Sequence, residues 1–224
     1  RGLPGYRGHL SAATPTIAEA LKPAGYVTGL SGKWHVGNAD ADQPRRRGFD
    51  EQFLIRGGGG MYFYPPVIKR TVWLEDRPIQ PDSSTFYSTD AINDYAVRFV
   101  EKHRNEPYFL HVAHVAPHFP LQAKPADIAK FRGKYRAGFE EIRKRRFSKM
   151  NALGLLDPNA ALSEADPSVP RWETLTEAQR DTFDLQMATY AAQVSCLDEG
   201  IGRLIRKLEE TDQLDRTVLF FLSD

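Results

Sequence analysis

Two stretches of the 224-residue sequence run from a helical pattern directly into a short apolar segment that is typical of a strand. Thr14 and Pro15 offer an N-cap hydroxyl and a proline at the first helical position, and the strand Tyr26–Leu30 follows. Ser88 can cap a second helix, which leads to the apolar run Tyr108–Ala116. Because parallel strands are joined by crossover helices, this alternation predicts an α/β fold.

A third and longer stretch repeats the same order. It begins at the capping box formed by Thr176 and Gln179, and its apolar residues then recur four and three positions apart. A coiled coil is the alternative interpretation, but the apolar stripe leads directly into a predicted strand at Thr217–Asp224. A crossover unit is therefore favoured, and we expect a three-layer α/β/α sandwich around a mostly parallel central sheet.

Composition excludes several classes of protein. Thirty basic residues nearly balance 29 acidic ones, so no overall field favours nucleic acid as a partner. No apolar run approaches the roughly 18 residues of a membrane span.

The first residues, from Arg1, and the last, up to Asp224, both resemble the interior of a chain. We therefore expect residues 1–224 to be an internal fragment of a single domain, which leaves its signal peptide and localisation open.

The segment Gly25–Gly37 carries two polar side chains suited to chemistry. After the strand we expect a glycine corner at Ser31 and Gly32, followed by Lys33 and His35. Alternate residues of extended backbone point to the same side, so the Lys33 and His35 side chains project together while Trp34 faces the other way. A cation beside an imidazole suits a tetrahedral oxyanion with a leaving oxygen, whereas a solvated loop is the alternative.

Two further polar residues follow predicted strands. His118 comes just after the buried run that ends at Ala116, and Asp224 ends the last strand. In open α/β sheets ligands bind at the carboxyl ends of strands, so we expect Lys33, His35, His118 and Asp224 to gather at one edge. The alternatives are a turn histidine between two prolines and an aspartate that caps a turn.

Other candidate residues have simpler explanations. The glycine run Gly57–Gly60 is interpreted as a flexible corner, because no Lys-Ser/Thr follows it as in a phosphate-binding loop. His114 is expected to be a hydrogen-bonded core residue, and Cys196 a small residue of a helix core. The basic stretch Ala126–Asn151 is read as a solvated helix surface, with an anionic polymer as the alternative partner.

The string Gly-Tyr-Val-Thr-Gly-Leu-Ser-Gly-Lys-Trp-His resembles the second signature of the type I, formylglycine-dependent sulfatases, a branch of the alkaline phosphatase superfamily. The Arg-Gly-Phe-Asp segment at 47–50, the strand at 107–122 and the stretch from Tyr190 to Asp224 are also similar to that family, in the same order. The likeness is closest to bacterial arylsulfatase-like members. It implies an alkaline phosphatase-like fold.

The resemblance also implies a role for each matched residue. Lys33 would hold the sulfate and steady the leaving oxygen, and His35 would hydrogen-bond the formylglycine. His118 would contact the sulfate ester and help to protonate the leaving alcohol or phenol. Asp224 would be a ligand of Ca²⁺, and Mg²⁺ is the less favoured alternative. An aspartate suits this role because both ions prefer oxygen ligands. The implied substrates are sulfate-ester small molecules or sulfated glycans, and the implied location is periplasmic or secreted.

The sequence also departs from the family pattern. No Cys-x-Pro-Ser-Arg nucleophile motif occurs, and Cys196 is followed by Leu-Asp-Glu. The early Asp-Asp metal pair is missing as well. We therefore expect the nucleophile to lie upstream and the isolated fragment to be inactive. Two alternatives to a sulfatase stay open: a phosphodiesterase or phosphonate hydrolase of the same superfamily, and a non-catalytic anion-binding relative.

Overall fold

The computed structural model describes residues 8–223. They form two compact units, one of residues 8–122 with 194–223 and the other of residues 123–193. A long helix, α5 (Glu177–Glu210), contributes its first part to the second unit and its last part to the first.

The first unit is built on a five-stranded sheet. The strands are β1 (Val27–Trp34), β2 (Glu51–Arg56), β3 (Thr71–Leu74), β4 (Arg77–Ile79) and β5 (Tyr108–Ala113). β1 pairs in parallel with β2 on one side and with β5 on the other, while β3 pairs antiparallel with β2 and β4 antiparallel with β3. The strand order is β4-β3-β2-β1-β5, which confirms the predicted α/β fold with a mostly parallel sheet.

Helices cover both faces of this sheet. α1 (Ile17–Leu21) packs through Ala18 on one face, in a cluster with Leu30 and Trp34. α2 (Ser88–Lys102) and the last part of α5 pack on the other face, where Ile92 and Leu208 belong to a larger buried cluster. The predicted helix caps are shifted, because Thr16 caps α1 and Tyr87 occupies the N-cap position of α2.

The alternation along β1 places its residues as the sequence predicts. The Ser31 hydroxyl donates to the Ile92 carbonyl at 2.7 Å, on the α2 face, while Trp34 packs against Phe49 on the α1 face. Lys33 shares the parity of Ser31, so it lies on the face opposite Trp34.

The predicted glycine corner at Ser31 and Gly32 is wrong, since β1 continues to Trp34. Gly32 has a φ of 122°, and a Cβ there would overlap the Ala113 carbonyl of β5. Glycine is needed at this position because two neighbouring strands approach closely, not because the chain turns.

The predicted strand at Thr217–Asp224 is also wrong for residues 217–223, which pair with no strand in the described chain. Its apolar side chains are exposed, with Val218 at 77% and Phe220 at 85%. A run of strand-forming residues becomes a strand only when a neighbouring strand satisfies its backbone N–H and C=O groups. Within residues 8–223, no strand of the sheet pairs with this run.

The second unit is helical and rich in charged contacts. Buried Asp184 accepts hydrogen bonds from the Arg132 guanidinium and from the backbone N–H groups of Gly133 and Tyr135. The helices of this unit are α3 (Pro125–Ala129), α4 (Phe139–Ala152) and the first part of α5. The helix α4 has no buried residue in this structure, as expected for a solvated basic surface.

A buried cation ties the Arg-Gly-Phe-Asp segment to α1. The Thr16 hydroxyl accepts from the Glu19 N–H and donates to the Arg47 carbonyl, and the Glu19 carboxylate lies 2.9 Å from Arg47 Nε. Hydrogen bonding to Arg47, followed by the Thr16 N–H bond, holds the pKa of Glu19 below its ordinary value.

We predict that Glu19→Gln in the full-length gene product keeps the helix cap but costs about 1 kcal/mol of unfolding free energy at pH 7. A carboxyl with a lowered folded pKa adds stability above its unfolded pKa of about 4.3 and loses it as pH falls through the folded value. The difference between the two proteins should therefore shrink by pH 3 in denaturant titrations. Glu209→Gln, on an exposed side chain, is the control, and an equal deficit at pH 3 and pH 7 would contradict the assignment.

Candidate active site

Three of the four predicted site residues lie at one edge of the parallel sheet. Lys33 is the second-last residue of β1 and is half-buried, while His35 follows β1 directly and is exposed. His118 lies five positions beyond the end of β5 and is also exposed. Since β1 and β5 are parallel neighbours, their carboxyl ends meet at the same edge. The structure therefore places Lys33, His35 and His118 in one region.

The glycine run that follows β2 is the surface against which both imidazoles pack. A Cβ on Gly58 would lie 3.0 Å from Cδ2 and Nε2 of His35. A Cβ on the next residue, Gly59, would lie 2.7 Å from Cγ of His118. The interpretation of Gly57–Gly60 as a flexible corner does not account for these contacts. The absence of side chains on Gly58 and Gly59 makes room for the rings of His35 and His118.

The His118 ring is hydrogen-bonded to the backbone that follows it. Its Nδ1 faces the Phe119 carbonyl, which can only accept, so this contact favours the tautomer with the proton on Nδ1. The backbone N–H of His118 also donates to the Val115 carbonyl at 2.9 Å, which closes the turn after β5. Nε2 is therefore the nitrogen that can exchange a proton with a bound ligand.

Tyr62 supports this turn from the core and is a site residue that sequence reasoning missed. Its hydroxyl donates to the His118 carbonyl at 2.6 Å, and its own carbonyl accepts from the Ser88 N–H at 2.8 Å. The ring is fully buried and stacks on Tyr87, with centroids 6.1 Å apart. The aromatic run Met61–Tyr64 directly after the glycines was the available signal.

His114 differs from its prediction as a hydrogen-bonded core residue. Both ring nitrogens are buried without a hydrogen-bond partner among residues 8–223, and burial lowers the pKa of this imidazole to about 4. The ring is therefore neutral at physiological pH. Cys196 lies in the core cluster on α5 as predicted, and at 5% exposure its thiol is not placed to act as a nucleophile.

The metal site implied by the sequence is not formed by the described residues. Within 8–223 no three His, Cys, Asp or Glu side chains lie close enough together to hold a metal ion. Asp224, the predicted calcium ligand, lies outside the described residues. No helix in the same part of the chain is both long and apolar enough to cross a membrane.

Comparison with known proteins shows the family to which the chain belongs. A family model described as Sulfatase matches residues 2–224. The chain belongs to the sulfatase family. An uncharacterized sulfatase of Schizosaccharomyces pombe is 34% identical over the whole chain, and the chain covers 43% of that relative. An arylsulfatase of Klebsiella aerogenes is 33% identical, again over the whole chain, which covers 49% of it.

The sulfatase chain also resembles solved structures. The crystal structure of Ps i-CgsB in complex with k-i-k-neocarrahexaose superposes with a TM-score of 0.57 at 29% identity, over 88% of this chain and 37% of that one. The chain therefore spans about half or less of the length of the relatives that it matches.

We predict that Gly59→Ala in the full-length gene product lowers kcat/KM at least about 10-fold with little change in Tm. The residue needs no positive φ, so the new methyl affects mainly the His118 ring that it would overlap. A displacement of about 1 Å in a catalytic group can cost 100-fold in rate. The control is Gly202→Ala, whose Cβ would meet only Arg206 at 3.5 Å. Full activity of the Gly59 variant would show that the contact has no functional role.

We also predict that Tyr62→Phe lowers kcat about 10-fold with little change in KM and shifts the pH–rate profile, because the hydroxyl no longer fixes the His118 turn. Tyr95→Phe is the matched control, since it removes another buried hydroxyl, which donates to Glu75 at 2.9 Å. Both variants should lose about 1 kcal/mol of stability. Parallel steady-state kinetics and unfolding curves separate the two effects, and equal rates in the two variants would remove the positioning role of Tyr62.

Proposed function

We propose that this chain carries part of the active site of a sulfatase that hydrolyses sulfate monoesters of carbohydrate or phenolic alcohols. The observation that carries the proposal is the packing of two imidazoles on consecutive glycines, at the edge where Lys33 lies near the end of β1. One cation and two proton carriers at one edge match the needs of sulfate-ester cleavage, in which negative charge develops on the leaving oxygen.

Lys33 is proposed to bind the sulfate. Its ammonium group is a compact point charge with rotatable donors, which suits an oxyanion whose oxygens are equivalent. The residue is half-buried at the end of a strand that is paired on both sides, so its backbone is held in place. Partial removal of water strengthens its attraction for the charge that develops in the transition state.

His118 is proposed to protonate the leaving oxygen. As an imidazolium it would hold a proton on Nε2 while Nδ1–H stays bonded to the Phe119 carbonyl. As the S–O bond breaks, the Nε2 proton passes to the leaving ester oxygen, which departs as the alcohol or phenol. The imidazole is left as the neutral Nδ1–H tautomer, which this carbonyl already stabilises. The turn is thus arranged so that the ring need not rotate during the reaction.

His35, on Gly58, is proposed to assist the group that attacks sulfur. We propose that this nucleophile lies outside residues 1–224, because the sequence has no Cys-x-Pro-Ser-Arg motif and Cys196 is buried in α5. We propose formylglycine for this role, as the resemblance implies, and Ca²⁺ held in part by Asp224. Asp224 lies outside the described residues, so its share in holding the ion is proposed from the resemblance alone.

The substrate class is a proposal for the whole protein, of which residues 1–224 would be an internal segment of one catalytic domain, and the names of related proteins support it. The relative in Klebsiella aerogenes is named an arylsulfatase, and Ps i-CgsB was solved with an oligosaccharide, k-i-k-neocarrahexaose. We therefore propose an aryl or carbohydrate sulfate as the substrate.

We predict that Lys33→Ala and His118→Ala in the full-length gene product each lower kcat on a sulfate ester by about 100- to 1000-fold. Lys144→Ala removes the same ammonium group from an exposed helix position and is the matched control. Assays with 4-nitrophenyl sulfate and 4-nitrophenyl phosphate separate a sulfatase from a phosphatase-type relative. Near-native sulfatase rates in both site variants, or hydrolysis of the phosphate ester alone, would contradict the proposal.

A further inference from the structure

An arginine that the sequence analysis did not single out lies beside the glycine run. Arg70 Nε donates to the Gly59 carbonyl at 3.0 Å, and Nη1 donates to the Lys69 carbonyl at 2.9 Å. A Cβ on Gly57 would meet Arg70 Cδ at 3.3 Å. Gly59 is the same residue that packs against the His118 ring. The guanidinium is therefore fixed one glycine away from the proposed proton donor.

The charge of Arg70 is not balanced by the part of the protein that the structure describes. Other half-buried or buried arginines in the first unit pair with carboxylates: Arg45 with Glu75, and Arg47 with Glu19. Neither Arg70 nor the exposed Lys69 has a carboxylate within ion-pair distance among residues 8–223. A half-buried cation of this kind gains most from an anionic ligand, since no carboxylate of the described residues neutralises it.

The hydrogen-bonding capacity of Arg70 points to the same conclusion. The two bonds to carbonyls use Nε and one N–H of Nη1, and they fix the plane of the guanidinium. The N–H groups of Nη2 make no hydrogen bond to the described residues, so a planar edge with donors is available. Arginine binds carboxylate and sulfate oxygens through paired donors of this kind.

We propose, resting on the function proposed above, that Arg70 and Lys69 form a subsite for a second anionic group on the substrate. The group is a sulfate or a carboxylate on the same sugar as the ester that is cleaved, or on the adjoining one, because the Arg70 side chain and the His118 ring both contact Gly59. The preferred substrate class is then a polyanionic saccharide, and a simple monosulfate uses only the Lys33 and His118 side of the site.

The test compares three saccharides with the full-length gene product: a monosulfated sugar, its disulfated form and a sulfated uronic acid. For Arg70→Gln we expect KM for the doubly charged substrates to rise about 10- to 100-fold with kcat little changed, as for loss of a charge-assisted hydrogen bond. Activity on the monosulfated sugar should stay within about threefold. Arg70→Lys should recover part of the affinity, and Lys69→Gln should give a smaller loss of the same kind.

Arg77→Gln is the control, because it removes an exposed arginine of β4. The two doubly charged substrates distinguish the source of the anion, and selective loss with either one supports the subsite. If Arg70→Gln lowers kcat/KM equally on mono- and doubly charged substrates, Arg70 only supports the glycine run and the subsite is wrong. If the native protein hydrolyses none of the three while a phosphate ester is cleaved, the proposed function itself fails, and this inference fails with it.

Discussion

The contact between two consecutive glycines and two imidazoles is the constraint on which the site depends. Gly58 and Gly59 leave space for the rings of His35 and His118, which are 83 positions apart in the sequence. Any side chain in that space would move a ring, so the four-glycine run is a shaped surface for holding functional groups. The Gly59 carbonyl of the same run accepts the Nε–H of Arg70, which brings a guanidinium to this surface.

The sheet makes this contact possible by bringing three chain segments to one edge. β2 leads to the glycines, β1 to Lys33 and His35, and β5 to the turn of His118, and all three strands are parallel. The order of the strands therefore determines which loops meet. Gly32 lets β1 and β5 approach, and buried Tyr62 links the His118 turn to the start of α2, so the edge is supported by the core.

Much of this architecture follows from the sequence, because alternating helical and apolar patterns determine an α/β fold and alternate residues share a face. The positions of Lys33 and Trp34 on opposite faces were predictable for that reason. The role of Gly32, the packing function of Gly58 and Gly59, and the bond from Tyr62 were not, since each depends on a partner far away in the chain. The segment 217–223 shows the opposite error, because strand propensity does not supply a pairing partner.

The most direct test of this anion-binding site is a crystal structure of the full-length gene product with a bound sulfate or vanadate. We expect the anion to lie about 3 Å from Lys33 Nζ and from Nε2 of His118, over the surface of Gly58 and Gly59. An anion bound elsewhere, with Lys33 and His118 pointing away from it, would contradict the account.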